Sequence, residues 1–174
     1  MTEYPAFAEA RGTVDAPPVV VFDFLDDQAN LSAHMSRSSG MMLGSSMTIR
    51  MEPDHTRRVG SAFGFTGSIF GIPLAVDEVV TGRVPPREKT WETTAEPQLW
   101  VIGRYQMGFE LAPEGQRSSL TVHIRYALPA RGFQRLPGRM LGRTYAKWCT
   151  RQMVSDAQKH FSRQPGHLPT PAPL

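Results

Sequence analysis

The sequence is poor in cysteine, in targeting signals and in long apolar runs. Its single cysteine, Cys149, allows neither an internal disulfide nor a thiolate metal cluster, so the chain needs no oxidising compartment. The N-terminal residues MTEYPAFAEA lack the basic and apolar segments of a signal peptide. No apolar run approaches the roughly 18 residues that a membrane-spanning helix needs. We therefore expect a cytoplasmic protein.

Motifs for metal and phosphate chemistry are also missing. The histidines lie far apart, without the paired spacing of a metal site; they are His34, His55, His123, His160 and His167. There is no glycine-rich phosphate loop and no serine in a nucleophile-elbow context. The sequence thus predicts neither a metal nor a cofactor.

The charge is nearly balanced, with 19 basic and 16 acidic residues. Nucleic-acid binding would need a stronger basic balance with interleaved aromatic residues, so we expect none. The densest basic group, Arg131, Arg135, Arg139 and Arg143, is spaced at four and shares roughly one side of a helix. Such a face is most simply a solvated one, although it also suits a peripheral contact with anionic lipid. The oligomeric state is left open.

The first third of the chain predicts a strand followed by two short helices. Residues 7–14 have modest strand character, and the following DAPP sequence suits a helix start. Apolar pairs four residues apart, such as Val21 with Leu25, favour a first short helix. A second short helix is expected around Leu31 to Met35, before the Ser/Gly-rich residues 36–40.

From Met41 the apolar period changes from about 3.6 to 2, which is typical of half-buried strands. The clearest alternation has one apolar face from Leu99 to Leu111 and another from Leu120 to Leu128, separated by a turn at 113–116. Two neighbouring strands with one apolar face each predict an antiparallel sheet with one dry side. Further strands are expected at 47–51, around Phe63 and Phe65, at 72–84 and at 89–95.

The helical period returns near the C-terminus. An apolar stripe formed by Leu141, Tyr145, Cys149 or Trp148, Met153, Ala157 and Phe161 predicts a helix over 136–161 that lies along the dry face of the sheet. The last residues, 162–174, contain four prolines and no core-forming pattern, so we interpret them as a disordered tail. The chain therefore divides into one domain, 1–161, and this tail.

Two segments carry a family resemblance. The residues VDAPPVVVFDFLDD at 14–27 and VDEVVTGRVPPREKTWET at 76–93, together with the aromatic closing helix, resemble the START-like (SRPBCC) superfamily, also described as polyketide cyclase/dehydrase-like. The resemblance covers about residues 6–161. It implies an α+β helix-grip fold, in which a curved antiparallel sheet of six or seven strands surrounds a long C-terminal helix.

The resemblance also implies an apolar ligand cavity between the long helix and the sheet. Its wall would be rich in aromatic residues and methionine, whose flexible thioether adapts to irregular guests. The candidate ligand-binding residues are Phe63, Phe65, Trp91, Tyr105, Met107, Phe109, Tyr126, Met140, Tyr145 and Trp148, with His34 at the cavity mouth. Individually, most of them are equally compatible with simple core packing.

Catalytic residues are not identified by the sequence. His34 has the chemistry of a general acid or base, but a surface or capping role is the simpler interpretation. Glu78 shares a strand face with Val76 and Val80, so it is either a buried carboxylate or an exposed residue beyond a bulge, and we expect exposure. Cys149, inside the apolar stripe, is expected to be a buried and inert thiol.

These observations favour a protein that binds or carries a small hydrophobic molecule, such as a lipid, a quinone, a polyketide or an aromatic compound, without changing it. One alternative is an aromatase/cyclase-type enzyme, because such a pocket works mostly by orienting its substrate and needs no conspicuous catalytic motif. A protein-interaction module is the third possibility.

Overall fold

The computed structural model describes residues 4–32, 46–52, 56–69, 72–99, 101–128 and 135–162. Its strands are β1 (Ala6–Val14), β2 (Ser46–Met51), β3 (Ala62–Ile69), β4 (Ile72–Val84), β5 (Glu88–Thr93), β6 (Tyr105–Glu114) and β7 (Arg117–Tyr126). The helices in the described residues are α1 (Pro18–Asp26), α2 (Gln28–Leu31) and α3 (Arg135–Ser162). This order confirms the predicted strand, two short helices, further strands and closing helix.

The seven strands form one curved antiparallel sheet in the order β1-β7-β6-β5-β4-β3-β2. Burial alternates along β7, where Leu120, Val122 and Ile124 face the core while the residues between them are partly exposed. Because successive side chains of a strand point to opposite faces, the sheet has one dry face, and α3 lies against it. The predicted helix-grip architecture is thus confirmed.

The C-terminal half of α3 crosses β1 very closely at Gly12. A β-carbon on Gly12 would lie only 2.7 Å from Cγ1 of Val154 and 2.8 Å from Nε2 of Gln158. The Gln158 side-chain amide also donates a hydrogen bond to the backbone carbonyl of Thr13 at 3.0 Å. Glycine at position 12 therefore lets the helix backbone approach this edge of the sheet.

A second close approach fixes the other half of α3. A β-carbon on Gly142 would lie 2.5 Å from the carbonyl oxygen of Val101, so this face of the helix must turn toward residues 101 and 102. The neighbouring Leu141, about 100° around the helix, is consequently 55% exposed. The expectation that Leu141 belongs to the buried stripe is wrong, and the buried apolar side chains of α3 are those of Ala146, Cys149, Met153, Val154 and Ala157.

The strand predicted to begin at Leu99 begins only at Tyr105. Residues 101–104 instead form a loop, in which the amide of Gly103 donates a hydrogen bond to the carbonyl of Ala127. Ile102 is 1% exposed, so this loop contributes to the core although it is not part of a strand. Periodic apolar residues in a buried loop thus produced the longer strand prediction.

The long helix ends at Ser162, close to the predicted end at Phe161. Residues 163–174 lie outside the described part of the chain, so the disordered tail stays a prediction. None of the helices among the described residues combines the length and the apolarity that crossing a membrane requires.

Candidate functional site

A small cavity of about 40 Å³ lies between the middle of α3, the short helix α2 and the inner face of the sheet. Its wall is mostly apolar, with a few polar side chains from three different elements. It is lined by Gln28, Leu31, Ser32, Phe65, Val76, Glu78, Trp91, Leu99, Ile102, Tyr105, Met107, Ile124, Tyr145, Cys149 and Met153. It lies between the long helix and the sheet, where the family resemblance implies a cavity.

Strand register brings the sheet residues of the wall together. Trp91 of β5 pairs with Met107 of β6, which in turn pairs with Ile124 of β7. Residues directly opposite each other in an antiparallel pair share a face, so these three side chains form a continuous apolar surface. On the other side, Phe65 of β3 pairs with Val76 of β4 and extends the same surface.

Glu78 is the acidic residue of this wall. Its side chain is 2% exposed, and the hydroxyl of Tyr105 donates a hydrogen bond to its Oε1 atom at 2.9 Å. The second carboxyl oxygen, Oε2, is buried without a hydrogen-bond partner among the described residues. A buried polar atom left in this way is costly, so it is a natural contact point for a bound molecule or a water.

Burial raises the pKa of Glu78 from 4.5 to about 8, although the Tyr105 hydroxyl and the Trp91 side chain oppose the shift. The nearby Asp77 carboxylate raises this pKa further. Our expectation that Glu78 is exposed is therefore wrong. The register irregularity that could have turned this side chain outward lies further along β4, between Val80 and Gly82, so Glu78 keeps the inward direction of Val76 and Val80.

The helix contributes Tyr145, Cys149 and Met153, which lie on one side of α3 above the cavity. Burial raises the pKa of the Cys149 thiol to about 12 and raises the pKa of the Tyr145 phenol well above its ordinary value. Both groups are therefore neutral at physiological pH. The buried, unreactive thiol predicted for Cys149 agrees with this environment.

The third side of the cavity is formed by α2. Gln28 is 2% exposed, and its Nε2 donates to the hydroxyl of Ser32 at 3.3 Å. Its Oε1 atom is buried without a hydrogen-bond partner among the described residues. The cavity thus has two unsatisfied polar atoms, one on the sheet and one on α2.

A buried ionic network holds α2 in place. Asp26, at the end of α1, accepts hydrogen bonds from Nε and Nη2 of Arg83, the latter at 2.7 Å, and lies 3.3 Å from the ammonium group of Lys89. Lys89 is fully buried and also donates to the hydroxyl of Thr56 and to the carbonyl of Asp26. The next residue, Asp27, caps α2 by accepting from the amide of Ala29. This network fixes the junction that directs Gln28 into the cavity.

Five of the predicted ligand-binding residues line the cavity. They are Phe65, Trp91, Tyr105, Met107 and Tyr145. The structure brings these five together from three strands and the long helix. For Met140 only the backbone, within α3, is described, and His34 lies outside the described residues.

Four other candidates lie elsewhere. Phe63 packs edge-on against Phe65 but does not reach the cavity. Phe109 contacts Phe22 of α1, with ring centroids 5.6 Å apart. Tyr126 lines a surface groove at the start of β1, and Trp148 lies in a shallow groove on the outer side of α3 with Lys147 and Arg151. Phe63, Phe109 and Tyr126 stand at correct positions of the strand alternation, which cannot distinguish a cavity wall from solid core.

The polar residues of the cavity were missed by the sequence reasoning. The alternation of Val76, Glu78 and Val80 indicates the inward position of Glu78, although a bulge in this strand would also allow an exposed one. Gln28 carried no signal, because a polar residue at the start of a short helix is ordinarily exposed. Among the described residues, no group of three or more histidine, cysteine or acidic side chains is arranged to hold a metal ion.

Comparison with known proteins identifies the fold. No family model and no curated protein matches the sequence. Solved structures do match. A protein from Thermus thermophilus is 13% identical, with 92% of this chain and 100% of that chain covered and a TM-score of 0.68. The Zhui aromatase/cyclase from a Streptomyces species is 13% identical, with 93% and 96% covered and a TM-score of 0.67.

Norcoclaurine synthase from Thalictrum flavum is similar as well, with 12% identity, 91% and 87% of the two chains covered and a TM-score of 0.63. These structures have the helix-grip fold of START-like (SRPBCC) proteins, and this chain has the same fold. The resemblance inferred from the two sequence segments is thereby confirmed at the level of the fold.

Proposed function

We propose that the protein binds a small hydrophobic molecule in the cavity between α3 and the sheet. The observation that carries this proposal is a space inside the core that side chains leave unfilled, with an apolar wall and a few polar atoms. Cavities of this kind, with a small number of placed polar groups, are typical ligand sites. The aromatase/cyclase and the synthase among the similar structures support a small-molecule role by analogy of fold.

The cavity must enlarge to accept such a molecule. Its volume of about 40 Å³ is far below the roughly 300–1,000 Å³ of typical ligand pockets. Met107 and Met153 both line it, and methionine side chains have several rotatable bonds that let them adopt other rotamers around a guest. We expect these two thioethers to move away from Trp91 when a ligand enters.

A thermal-shift screen tests the proposal. Fatty acids, sterols, quinones and flavonoids are added to the purified protein, and a ligand that binds only the folded state raises the melting temperature by mass action. Native mass spectrometry of protein purified from its source reports any co-purifying molecule.

A matched pair of variants locates the binding. Cys149→Leu adds volume inside the cavity and should reduce the ligand-induced shift, whereas Thr144→Leu changes the outer side of the same helix and should leave it intact. If no compound raises the melting temperature and none co-purifies, the proposal is wrong.

A second candidate function is an aromatase/cyclase-type enzyme, and Glu78 is the observation in its favour. A carboxyl group with a pKa of about 8 exists in both protonation states near neutral pH, as a general acid or base requires. In its ionised form it can remove a proton from the carbon next to a ketone, giving an enolate and a neutral carboxyl group. Returning the proton to the carbon restores the ketone and the carboxylate.

Exchange of such protons for deuterium measures this chemistry directly. A ketone that binds is incubated with the protein in D₂O, and NMR follows the loss of the protons adjacent to the carbonyl. The enzyme hypothesis expects the wild type to accelerate exchange and Glu78→Gln to abolish the acceleration while still binding the ketone. Equal exchange rates with and without the wild-type protein would leave binding as the only function.

We propose in addition that the protein acts in the cytoplasm. The support comes from the sequence, whose single thiol is buried and needs no oxidising compartment. Fractionation of the source cells, with the protein detected by antibody, tests this location.

A further inference from the structure

We infer that the ligand carries an uncharged carbonyl oxygen, as in a ketone or a quinone, and that this oxygen accepts a hydrogen bond from Oε2 of Glu78. The inference rests on the proposed function, because it names the chemistry of the molecule that the cavity would bind.

The two oxygens of Glu78 have different surroundings. Oε1 already accepts a hydrogen bond from the Tyr105 hydroxyl at 2.9 Å, whereas Oε2 has no partner among the described residues. Both belong to a side chain that is 2% exposed and lines the cavity. The Trp91 side chain also lies near enough to this carboxyl to lower its pKa, but it forms no hydrogen bond of good geometry with Oε2, so Oε2 is the oxygen open to a molecule inside.

The surroundings of Glu78 keep its carboxyl group protonated. The groups that act on it are Asp77 on its own strand, Trp91 on β5, Tyr105 on β6, and Tyr145 and Cys149 on α3. None of these described groups is cationic, so no positive charge offsets the cost of burying a carboxylate there. The pKa of about 8 reflects this balance. At neutral pH the group is mainly a neutral acid.

The proton of that acid belongs on Oε2. Because the Tyr105 hydroxyl donates to Oε1, the carboxylic hydrogen is best placed on the other oxygen, where Glu78 becomes a hydrogen-bond donor toward the cavity. A donor inside an apolar pocket selects a ligand with an acceptor. It selects against a purely apolar ligand, which would leave the donor unsatisfied.

The remaining wall defines the rest of the ligand. Trp91, Phe65 and Tyr145 present aromatic rings, which favour a flat hydrocarbon body. An ionised carboxylate ligand would have to give up its hydration without a described cation to receive it. The buried Oε1 of Gln28 is an acceptor, so a hydroxyl group elsewhere on the ligand would satisfy it.

Two probes of similar size test the inference, namely 1-indanone, which has a carbonyl group, and indane, which has none. Their dissociation constants are measured by calorimetry at pH 6.5 with the wild type, Glu78→Gln and Glu78→Met. We expect the wild type to bind 1-indanone about three- to tenfold more tightly than indane, the value of one neutral hydrogen bond. Glu78→Gln should keep the preference because its amide donates, and Glu78→Met should lose it.

Measuring the two dissociation constants at several pH values gives a result that a change in side-chain packing would not produce. The wild-type preference for 1-indanone should shrink above about pH 8, because the donor form becomes a decreasing fraction of the protein. Glu78→Gln has no ionisable group at this position, so its preference should stay constant with pH. This comparison is decisive even if Glu78→Met fails to fold.

The failures can be told apart. If both probes bind the wild type with equal affinity, or if the preference survives in Glu78→Met, the inference is overturned while the proposed function stands. If neither probe binds and the wider ligand screen is also negative, both the inference and the proposed function are overturned.

Discussion

The hydroxyl of Tyr105 lies 2.9 Å from Oε1 of Glu78, and this hydrogen bond joins two strands that are not neighbours. β5 lies between β4 and β6 in the sheet, so the bond crosses the inner face above it. The hydrogen bond favours the ionised form of Glu78, whereas burial disfavours it, and burial has the larger effect on the pKa. Ionisation of Glu78 in the folded protein therefore costs stability, which leads to the first prediction.

Replacing Glu78 by glutamine should flatten the dependence of stability on pH. The pKa of Glu78 is higher in the folded protein, about 8, than its ordinary value of 4.5, so the folded state binds this proton more tightly. Its contribution is complete below about pH 4.5 and is lost as the pH rises to about 8. The difference between these two pKa values corresponds to about 5 kcal/mol in the free energy of unfolding. Urea denaturation between pH 5 and 9 measures it.

The control for this experiment is Glu9→Gln, which changes an exposed glutamate of β1. This variant should keep the wild-type dependence of stability on pH. A Glu78→Gln variant that loses stability with pH as steeply as the wild type would show that Glu78 is ionised in the folded protein.

Replacing Lys89 by methionine should destabilise the fold strongly. Methionine is of similar length but leaves the buried Asp26 carboxylate with Arg83 as its remaining cationic partner among the described residues. Removing one partner of a buried ionic network typically costs about 3–5 kcal/mol. Chemical denaturation measures the loss. Arg50→Met serves as the control, since its ion pair with Asp77 is exposed and should contribute less than about 1 kcal/mol.

Adjacent positions of α3 should respond in opposite ways to alanine. Gly142→Ala places a β-carbon 2.5 Å from the carbonyl oxygen of Val101 and should destabilise by about 1–3 kcal/mol, in spite of the better helix propensity of alanine. Leu141→Ala removes an exposed side chain and should change stability by less than about 0.5 kcal/mol. The reverse ranking in thermal denaturation would mean that the helix is rotated about its axis, with Leu141 facing the sheet.

Tryptophan fluorescence should report ligand through Trp91 and not through Trp148. Trp91 lines the cavity, whereas Trp148 is half-buried beside it and approaches it only through Tyr145, whose ring centroid lies 5.9 Å away. A ligand found in the thermal screen should therefore shift the emission of the wild type and of Trp148→Phe. In Trp91→Phe the shift should largely disappear, although binding detected by calorimetry persists. An unchanged ligand response in Trp91→Phe would place the ligand outside this cavity.

The tail predicted at 162–174 should be dispensable for folding. Its prolines and polar residues can bury little apolar surface, so truncation after Ser162 should leave the melting temperature within a few degrees. A loss of roughly ten degrees or more would show that these residues dock on the domain.

The fold was predictable because its strands obey a simple period. In β7 the alternation of Leu120, Val122 and Ile124 with polar residues coincides with the observed burial. The same rule failed at Leu99, since residues 99 and 101–104 were predicted as part of a strand but lie outside it, in a loop. The period also misplaced the buried side chain there, because Ile102 is 1% exposed whereas Leu99 and Val101, on the predicted apolar face, are only half-buried.

The site was less predictable because it depends on contacts between distant residues. The inward direction of Glu78 follows from the strand period, but its pairing with Tyr105, 27 residues away, depends on the sheet order. Gln28 follows the Asp26–Asp27 junction, where Asp26 is bound by Arg83 and Lys89 from strands far away in the sequence. Neither the position of a void nor the rotation of α3 about its axis leaves a local sequence pattern.

Close contacts at two glycines hold α3 against the rest of the domain on both sides of the segment that covers the cavity. One contact is that of Gly142 with the carbonyl oxygen of Val101, and the other is that of Gly12 with Val154. The cavity residues Tyr145, Cys149 and Met153 lie on α3 between these two contacts. Because both contacts remain, removing side-chain volume between them should not let the helix backbone move toward the sheet. Shortening Tyr145 or Met153 should therefore produce a larger persistent void rather than a collapsed core, at a cost that grows with the volume left empty. Different pocket sizes can accordingly be obtained by changing the residues between the two contacts while Gly12 and Gly142 are kept.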